Sequence, residues 1–478
     1  MDDKVLALYD FASKQEYIYR TSKIKEISGA SALLSGLYKK FCEILNENNI
    51  SLRYDLSKKF SLASFDDANV RLDGEVLYDG GGNLMVLWKD REKYTDANKV
   101  ISVYLLENNP GLSMIVSQVQ FTGLFDDKKN EKGEVTEEGD RTKLYKANSL
   151  RKNRFPAYDM PAVTPFTQID TMTFLPVTYK RNKNAKDSVY PAFECSLSSD
   201  RLAKALACDP QSNVFDKDAE GMLAVIYVDG NSMGKKLIAC ASEDYNEGVN
   251  KLREFSKKTN NSFVLQPIEA IQKANYSFRQ VIGGGDEITL ICDAKYAFDI
   301  MKTYFSVLSA GNTACAGISV FHAKEPFNVA YEIAEAACEK AKEKAHETDG
   351  NYFCFYYCHA GITHSFDFLY ETEQAHVSGK PYCTSDLERI SNCAKKMNAA
   401  GRANVKSLGN AAQLGKEHYS LEVERVNAYL GKDVEKFIGS DRSEEDFFNE
   451  MNLVYDMSEF YDLWFAEEEK TNDKRADD

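Results

Sequence analysis

The chain has 478 residues, 43% of them hydrophobic, and a formal net charge of −15, which predicts two to four globular domains with sizeable cores. The acidic balance argues against a large nonspecific nucleic-acid surface, because such binding depends on phosphate neutralisation by Lys and Arg. Short apolar runs, an acidic N-terminus and eleven cysteines without a CxxC pair argue against a membrane span, a secretory leader and a zinc ribbon, so we expect a cytoplasmic protein with reduced thiols.

The chain contains a degenerate duplication. The first copy begins with the apolar run VLALYD, which ends at Asp10, and reaches a glycine hairpin in EVLYDGGGNLMVLWKD at 75–90. The second copy begins with LAVIYVD, which ends at Asp229, and reaches its hairpin in RQVIGGGDEITLICD at 279–293. Each copy therefore predicts a strand, a helix, a glycine hairpin, and then a further helix and strand.

The two hairpins differ in charge. When they are aligned on their glycines, Gly80–Gly82 match Gly283–Gly285, and Asn83 stands where the second copy has Asp286. On this alignment only the second copy keeps an anionic turn.

The second copy continues with a regular alternation of helices and strands. Its periodicity predicts a helix at 294–310, a strand in TACAGISVFHA, a helix at 326–345 and a strand at 351–357. This βαββαβαβ order predicts a palm, or ferredoxin-like, sheet with helices on one face. From about 366 onward the spacing is helical, which is typical of a bundle.

We therefore predict an α+β protein of four parts. A first palm domain with the GGGN turn takes residues 1–165, and a small insertion or linker takes 166–220. A second palm domain with the GGDE turn takes 221–365, and a C-terminal helical bundle with an acidic tail takes 366–478. Within the first palm, the stretch 125–141 has no apolar period and is predicted to be a mobile loop.

The second copy brings acidic residues to one edge of its sheet. Asp229 ends a strand, and the neighbouring hairpin presents Asp286 and Glu287. Mg²⁺ and Mn²⁺ prefer carboxylate oxygens together with substrate phosphates, and such a site can carry nucleotidyl transfer. The alternative for an Asp at a strand end is a turn or helix-cap residue.

These features resemble a known family, the palm-polymerase large subunit of type III CRISPR effector complexes, in the superfamily that includes the GGDEF cyclases. The resemblance rests on YDFASKQEYIYRTSKIKEISGASALLSGLY in the first copy and on YVDGNSMG, GGGDE, CAGISV and EIAEAACEKAKEKA in the second. It implies a two-metal nucleotidyltransferase that joins ATP into a cyclic oligoadenylate or a related cyclic nucleotide for antiviral signalling. Two alternatives remain open: a nucleotide-binding scaffold subunit with weak or lost catalysis, and a GGDEF-type cyclase that uses GTP.

The resemblance also implies cofactors and partners. Family members bind two ATP molecules between their palms with Mg²⁺ or Mn²⁺, and other nucleoside triphosphates remain open as substrates here. Other type III subunits and a guide RNA are the implied macromolecular partners. The sequence has no His-Asp dipeptide, so the HD nuclease domain of many relatives is missing and no DNA cleavage is expected.

Specific residues match the positions that act in this family. The catalytic set implied is Asp229, Asp286 and Glu287, and the metal ligands are Asp229, Asp286 and the carbonyl of Gly230. The implied nucleotide-binding residues are Gly283, Gly284, Gly285, Asn231, Lys342 and Lys235. The glycines suit a turn with positive φ that a triphosphate approaches closely. For Lys342 and Lys235 the alternative is a solvated lysine on a helix face.

Overall fold

The computed structural model describes most of the chain as two compact units. The described residues are 3–12, 14–19, 24–108, 112–154, 221–276, 278–323, 325–358, 370–371, 377–432, 434–438 and 443–465. The first unit lies within Met1–Phe193, Ser232–Val264 and Gly284–Asp286, and the second lies within Glu194–Asn231, Leu265–Gly283 and Glu287–Asp478. The insertion predicted at 166–220 and the acidic tail lie outside the described residues.

The first unit is built on a five-stranded sheet. Its strands are β1 (Val5–Phe11), β2 (Leu52–Arg53), β3 (Gly74–Gly80), β4 (Asn83–Trp88) and β5 (Met114–Gln120). They lie in the order β2-β3-β4-β1-β5, antiparallel except for the parallel pair β2 and β3. Every residue of β1 is buried. This explains its nearly continuous apolar sequence, which is typical of a strand that is covered on both faces.

Two hydrophobic cores cover the two faces of this sheet. The helices of the unit are α1 (Lys14–Ile18), α2 (Ile24–Glu47), α3 (Leu62–Asp66), α4 (Arg91–Asn108), α5 (Asp140–Arg154), α6 (Met233–Ala239) and α7 (Tyr245–Asn260). Tyr9 of β1 lies in a core with residues of α2 and α4. Leu8, the next residue along β1, lies in the opposite core with residues of α3, α5 and α7. Successive strand residues thus serve different cores, as the pleat requires.

The stretch 125–141, predicted as a loop, contains an anchored hairpin. Its short antiparallel strands are β6 (Lys128–Lys129) and β7 (Val135–Glu137). At its base Phe125 is fully buried, and Arg141 Nε lies 2.5 Å from the Asp126 carboxylate. Polar strands of two and three residues give almost no periodic signal, so sequence reasoning missed them.

Helix α7 is fixed to the first sheet by a buried arginine. Arg253 is only 8% exposed. Its guanidinium donates to the carbonyls of Lys58 and Val76 at 2.7 Å each and to that of Leu77 at 2.9 Å, and it faces Glu75 at 3.5 Å. These partners offset the cost of burying the charge.

The second unit is built on a six-stranded sheet. Its strands are β8 (Met222–Gly230), β9 (Phe278–Gly284), β10 (Glu287–Asp293), β11 (Ala314–His322), β12 (Tyr352–Tyr357) and β13 (Tyr382–Cys383). They lie in the order β13-β12-β11-β8-β10-β9, and β11 and β12 are parallel. The accompanying helices are α8 (Gln266–Lys273), α9 (Ala297–Ser306) and α10 (Phe327–Thr348). The predicted helices and strands after the second hairpin are therefore confirmed, as is the α+β fold class.

A glycine allows α10 to lie directly on β11. A Cβ atom on Gly317 would come within 1.8 Å of the Ala334 carbonyl oxygen and 2.5 Å of the Cys338 nitrogen. Ala337 and Ala341, on the same helix, are fully buried. The motifs CAGISV and EIAEAACEKAKEKA are thus the two halves of one close strand–helix contact.

The C-terminal part of the second unit is helical, as predicted. Its helices are α11 (Leu387–Ala400), α12 (Arg402–Gln413), α13 (Lys416–Tyr429) and α14 (Glu444–Ser458). Just after α14, the Phe460 ring lies 5.1 Å from that of Phe298 on α9 and 5.4 Å from that of Phe355 on β12. These aromatic contacts join the C-terminal helices to the second sheet.

A buried carboxylate makes a second connection between these helices and the sheet. Asp456 of α14 accepts hydrogen bonds from the Tyr382 hydroxyl at 2.6 Å and from the Gly379 amide and the Ser378 hydroxyl at 2.9 Å each. The Lys380 ammonium lies 3.9 Å away. The carboxylate therefore holds the segment that leads into β13.

Two predicted absences concern membranes and cysteines. In the parts of the chain that the structure describes, no helix combines the length and apolar character needed to cross a bilayer. Within the same residues the cysteines are free thiols, several of them buried in the second sheet and α10.

Candidate nucleotide site

The candidate site lies at the end of the central strand β8. After Met222, the next six residues of the strand, up to Val228, are hydrophobic and buried, whereas Asp229 and Gly230 are half-buried. Asp229 is paired with Glu287 of β10 on one side and with Cys315 of β11 on the other. The hydrophobic core thus ends where the carboxylate begins, and the side chain stays accessible at 23%.

The acidic turn joins β9 to β10. Gly283 and Gly284 are the last residues of β9. Gly285 follows in a left-handed conformation with φ +69°, which glycine adopts without steric cost because it has no Cβ. Space is open around Gly284 and Gly285, because a Cβ at either position would meet no heavy atom within 4 Å. Asp286 completes the turn and directly precedes Glu287, the residue paired with Asp229.

Helix α10 brings a lysine to this carboxylate. Lys342 Nζ lies 2.5 Å from Asp229 Oδ2 and 2.7 Å from Glu339 Oε1, and the lysine side chain is only 20% exposed. Burial alone would lower the pKa of Lys342, but the bonds to Asp229 and Glu339 raise it above its usual value. Lys342 is therefore a positively charged residue of the site and not a solvated lysine on a helix face.

A buried tyrosine lies beside the same carboxylates. Burial raises the pKa of the Tyr227 hydroxyl far above its usual value, and the charges of Glu287 and Asp229 raise it further. Its ring packs edge-on against Tyr331 of α10, at 5.7 Å between centroids. The hydroxyl therefore keeps its proton at any physiological pH, and Tyr227 supports the site as a neutral group.

Two of the predicted nucleotide-binding residues have other surroundings. Asn231 Nδ2 donates to the Gly350 carbonyl at 3.0 Å, and its backbone N–H donates to the Thr313 carbonyl at 2.8 Å. These bonds fix the end of β8 to neighbouring loops. Lys235 is exposed on α6, in the segment that groups with the first unit.

In the first sheet, the position equivalent to Asp229 is a buried aspartate, Asp10. Asp10 of β1 is paired with Asn83 of β4 and is only 1% exposed. Asn148 Nδ2 donates to its Oδ2 at 3.0 Å, and Lys152 forms an ion pair with the same oxygen. With its amide nitrogen turned towards Asp10, Asn83 donates to both carboxylate oxygens at 3.1 and 3.2 Å.

Strand pairing corrects the alignment of the two hairpins by one residue. Asp10 faces Asn83, whereas Asp229 faces Glu287, so Asn83 corresponds to Glu287 and not to Asp286. Gly82, with φ +73°, then occupies the position of Asp286. Three consecutive glycines in each copy let the sequences slide by one place, and only the register fixes them.

The hairpin of the first sheet is held by side chains of its own unit. The Tyr38 hydroxyl lies 2.7 Å from the Gly82 carbonyl and 3.0 Å from that of Tyr9. Lys14 Nζ donates to the Gly81 carbonyl at 2.6 Å. Periodicity offered no signal for these contacts, because they join segments far apart in sequence.

Comparison with known proteins gives one family match by sequence. Residues 222–349 match the family described as Cas10/Cmr2, second palm domain. The matched range contains Asp229, Asp286, Glu287 and Lys342. No curated protein matches the chain.

Solved structures share the fold over almost the whole chain. The Csm1-Csm4 cassette in complex with cA3 has a TM-score of 0.55 at 13% identity, covering 95% of this chain and 70% of that chain. The cassette in complex with AMPPNP gives 0.53 at 15% identity, with the same coverage of both chains. Csm1 of T. onnurineus gives 0.54 at 12% identity, again covering 95% and 70%.

The sequence match and the structural matches agree with the geometry. The matched range begins at the first residue of β8 and ends one residue after α10, so it contains the strand, hairpin and helix that carry the site. At identities of 12–15% the structural likeness establishes the fold. Residues 222–349 are therefore similar in sequence to the second palm domain of Cas10/Cmr2, and the chain is Cas10-like in its palm-domain fold.

Proposed function

We propose that this chain is the large subunit of a cytoplasmic type III CRISPR effector complex, and that its second palm joins ATP into a cyclic oligoadenylate or a related cyclic nucleotide. The observation that carries this proposal is the half-exposed Asp229 carboxylate with the Lys342 ammonium 2.5 Å away, inside the second-palm match. The similar Csm1-Csm4 structures were solved with cA3, with cA4 and with AMPPNP. Those complexes support the proposal that this chain binds nucleotides and a Csm4-like subunit.

The residues at the end of β8 fit a divalent cation. The ammonium of Lys342 lies 2.5 Å from Asp229 Oδ2, and this ion pair supports the proposal that the same oxygen can bind a metal cation. Asp229, Asp286 and the Gly230 carbonyl would hold Mg²⁺ or Mn²⁺. Among the described residues no group of three or more His, Cys, Asp or Glu side chains is close enough to bind a metal. Water and substrate phosphates would complete the coordination, as is usual for Mg²⁺.

The proposed reaction is nucleotidyl transfer. The 3′-hydroxyl of one nucleotide gives its proton to solvent as its oxygen bonds to the α-phosphorus of another, the bond from that phosphorus to the bridging oxygen breaks, and pyrophosphate leaves with the electron pair. A bound divalent cation would lower the pKa of the attacking hydroxyl. Lys342 would neutralise triphosphate charge, and the open backbone at Gly284 and Gly285 would let the phosphates approach closely.

A scaffold with weak or lost catalysis is the second candidate. The observation in its favour is Asn231, which stands where the resemblance implies a second acidic residue and whose amide is bonded to Gly350. A site with one carboxylate fewer would bind a metal less tightly. In that case the chain would hold nucleotide and partner subunits without turnover.

Product analysis separates the two candidates. Purified protein, alone and with its co-expressed complex subunits, would be incubated with each nucleoside triphosphate and Mg²⁺ or Mn²⁺, and the products identified by mass spectrometry. We expect cyclic adenylates and pyrophosphate from ATP. Nucleotide binding by calorimetry without any product in either preparation would favour the scaffold.

A further inference from the structure

Two lysine–aspartate pairs occupy equivalent places in the two sheets. In the second sheet Lys342 of α10 pairs with Asp229, and in the first sheet Lys152 of α5 pairs with Asp10. The strands β1 and β8 each lie between a hairpin strand and a further antiparallel strand, β5 or β11. Helices α5 and α10 are the helices that follow β5 and β11. The duplication has therefore kept an ammonium at the same carboxylate in both copies.

The two pairs differ in how exposed the aspartate carboxylate is and in how many other groups bind it. Asp10 is 1% exposed and takes further hydrogen bonds from Asn148 and Asn83, so its carboxylate is buried and fully bonded, although the Lys152 side chain itself is 46% exposed. Asp229 is 23% exposed at an open strand end. Lys342 also has a second carboxylate within reach, because Glu339 Oε1 lies 2.7 Å from its Nζ on the solvent-exposed face of α10. The Asp229 carboxylate is therefore accessible to a second cation, whereas the Asp10 carboxylate is not.

We propose that Lys342 is an internal counter-ion that occupies the cation position at Asp229 until a nucleoside triphosphate draws its ammonium away. This inference rests on the proposed function only in taking Asp229 as a metal ligand. The second palm then binds divalent cations weakly without nucleotide, and more tightly once a nucleoside triphosphate is bound.

Competition for one oxygen is the physical basis. An ammonium 2.5 Å from Asp229 Oδ2 fills the space that a divalent cation would take, and two cations at one carboxylate repel each other. A triphosphate offers Lys342 several anionic oxygens, and Glu339 keeps the ammonium paired while it moves. By linkage, nucleotide then raises the affinity for metal by the same factor by which metal raises the affinity for nucleotide.

The test measures Mn²⁺ binding without nucleotide, through the loss of the free-ion electron paramagnetic resonance signal. We expect Lys342→Met to bind Mn²⁺ at least about tenfold more tightly than the wild-type protein. Lys342→Arg keeps the charge and should behave as wild type. Adding Asp229→Asn to Lys342→Met should remove the gained site. Equal or weaker Mn²⁺ binding by Lys342→Met, in a protein with a wild-type circular dichroism spectrum, would overturn the inference.

Two matched controls test whether any lost lysine gives the same effect. Lys340 lies on the same helix and pairs with Glu343 at 3.3 Å, so Lys340→Met should leave Mn²⁺ binding unchanged. Lys152→Met removes the equivalent ammonium of the first sheet. It should create no tight Mn²⁺ site, because two asparagine amides still close Asp10. A gain of affinity in either control would show a general charge effect and would contradict the assignment to Lys342.

The outcomes separate this inference from the proposed function. If Lys342→Met gains a site that Asp229→Asn removes, while the wild-type protein makes no cyclic nucleotide, the counter-ion stands and the synthase proposal falls. If the wild-type protein makes cyclic nucleotide but Lys342→Met gains no Mn²⁺ affinity, the synthase stands and the counter-ion falls.

Discussion

At the scale of single residues, position along β8 decides which side chains can act. Val228 is buried in the sheet, and the next residue, Asp229, emerges half-exposed between Glu287 and Cys315. The same step in the first sheet leaves Asp10 buried under Asn148 and Lys152. A difference in burial around one carboxylate therefore separates a candidate catalytic position from a structural one.

We expect Asp229→Ala and, separately, Asp286→Ala to abolish divalent-dependent product formation while leaving the protein folded. Losing a metal ligand removes several kcal/mol of transition-state stabilisation, about a thousandfold in rate. Asp229 lies at the end of β8, beyond the buried core, and Lys342 keeps Glu339 as a partner at 2.7 Å, so both variants should stay folded. The measurement is product per enzyme by mass spectrometry, with circular dichroism as the check of folding.

Asp299→Ala is the matched control for these two variants. Asp299 is an acidic residue of the second unit, but it lies on α9 and therefore outside the paired strands β8 and β10 that carry Asp229 and Glu287. Its loss should leave turnover unchanged. Near-normal turnover in folded Asp229→Ala or Asp286→Ala would contradict the metal assignment.

The sequence allowed part of the candidate site to be predicted. A carboxylate at the end of an apolar strand and an acidic glycine turn are local patterns, so Asp229, Asp286 and Glu287 could be named directly. Lys342 was found through the resemblance. The role of Lys152 was missed, because its contact with Asp10 joins segments more than a hundred residues apart and α5 is largely polar. The register of the hairpins was missed because three glycines give no anchor for alignment.

At the scale of secondary-structure elements, the close contact between α10 and β11 positions Lys342. We expect Gly317→Ala to lower the free energy of unfolding by about 1–3 kcal/mol or more, because its Cβ would lie 1.8 Å from the Ala334 carbonyl oxygen. The measurement is chemical denaturation followed by circular dichroism. Gly284→Ala is the control, since a Cβ there meets nothing within 4 Å and the cost should stay below about 1 kcal/mol. Equal effects would contradict the packing argument.

The carboxylate of Asp456 in α14 predicts a pH dependence. Burial raises its pKa, and Lys380, the Tyr382 hydroxyl and the Gly379 amide lower it only in part. Because the folded pKa lies above the unfolded value near 3.8, the folded state holds the proton more tightly. The stability from this group is complete below the unfolded pKa and is lost as pH rises through the folded pKa.

Comparison with Asp456→Asn isolates this effect. We expect the free energy of unfolding of the wild-type protein to fall relative to that of the variant as pH rises from about 4. Urea denaturation at several pH values measures the difference between the two proteins. A difference that stays constant, or grows with pH, would contradict the raised pKa.

At the scale of the whole molecule, each unit contains one of the two tryptophans. Trp88 is fully buried in the first sheet, and Trp464 lies in the aromatic cluster of the second unit, 5.6 Å from Phe460 and 6.1 Å from Phe298. Trp88→Phe leaves Trp464 as the fluorescent probe of the second unit, and Trp464→Phe leaves Trp88 as the probe of the first.

In the Trp88→Phe background we expect Phe460→Ala to lower the stability reported by Trp464 by about 3–5 kcal/mol. Phe460 is fully buried between α9, β12 and the C-terminal segment, so its removal leaves a cavity. The measurement is fluorescence-monitored urea unfolding. Leu421→Ala on α13 is the control, because this leucine is 68% exposed and its loss should matter little. A Phe460 variant as stable as the control would show that the aromatic cluster does not join helices to sheet.

Most of the architecture could be predicted from periodicity and duplication. The strands β1, β8 and β11 are apolar and long, and α10 has a clear helical period, so each gives a strong local signal. The small hairpin β6–β7 and the covering of the first sheet by α7 could not be predicted. The first is polar and short, and the second depends on tertiary contacts of Arg253, Tyr245 and Val249.

The path of α7 has a consequence for dividing the gene. This helix lies between β8 and β9 in the chain, yet its apolar side chains Tyr245, Val249 and Leu252 complete a core of the first unit. A fragment that stops at residue 220 would expose Leu8 and Phe125 to solvent. A fragment that starts at 221 would expose the apolar face of α7. Each half expressed alone should aggregate. The two halves produced together should recombine into a soluble complex, because the missing helix can then be supplied from the other fragment.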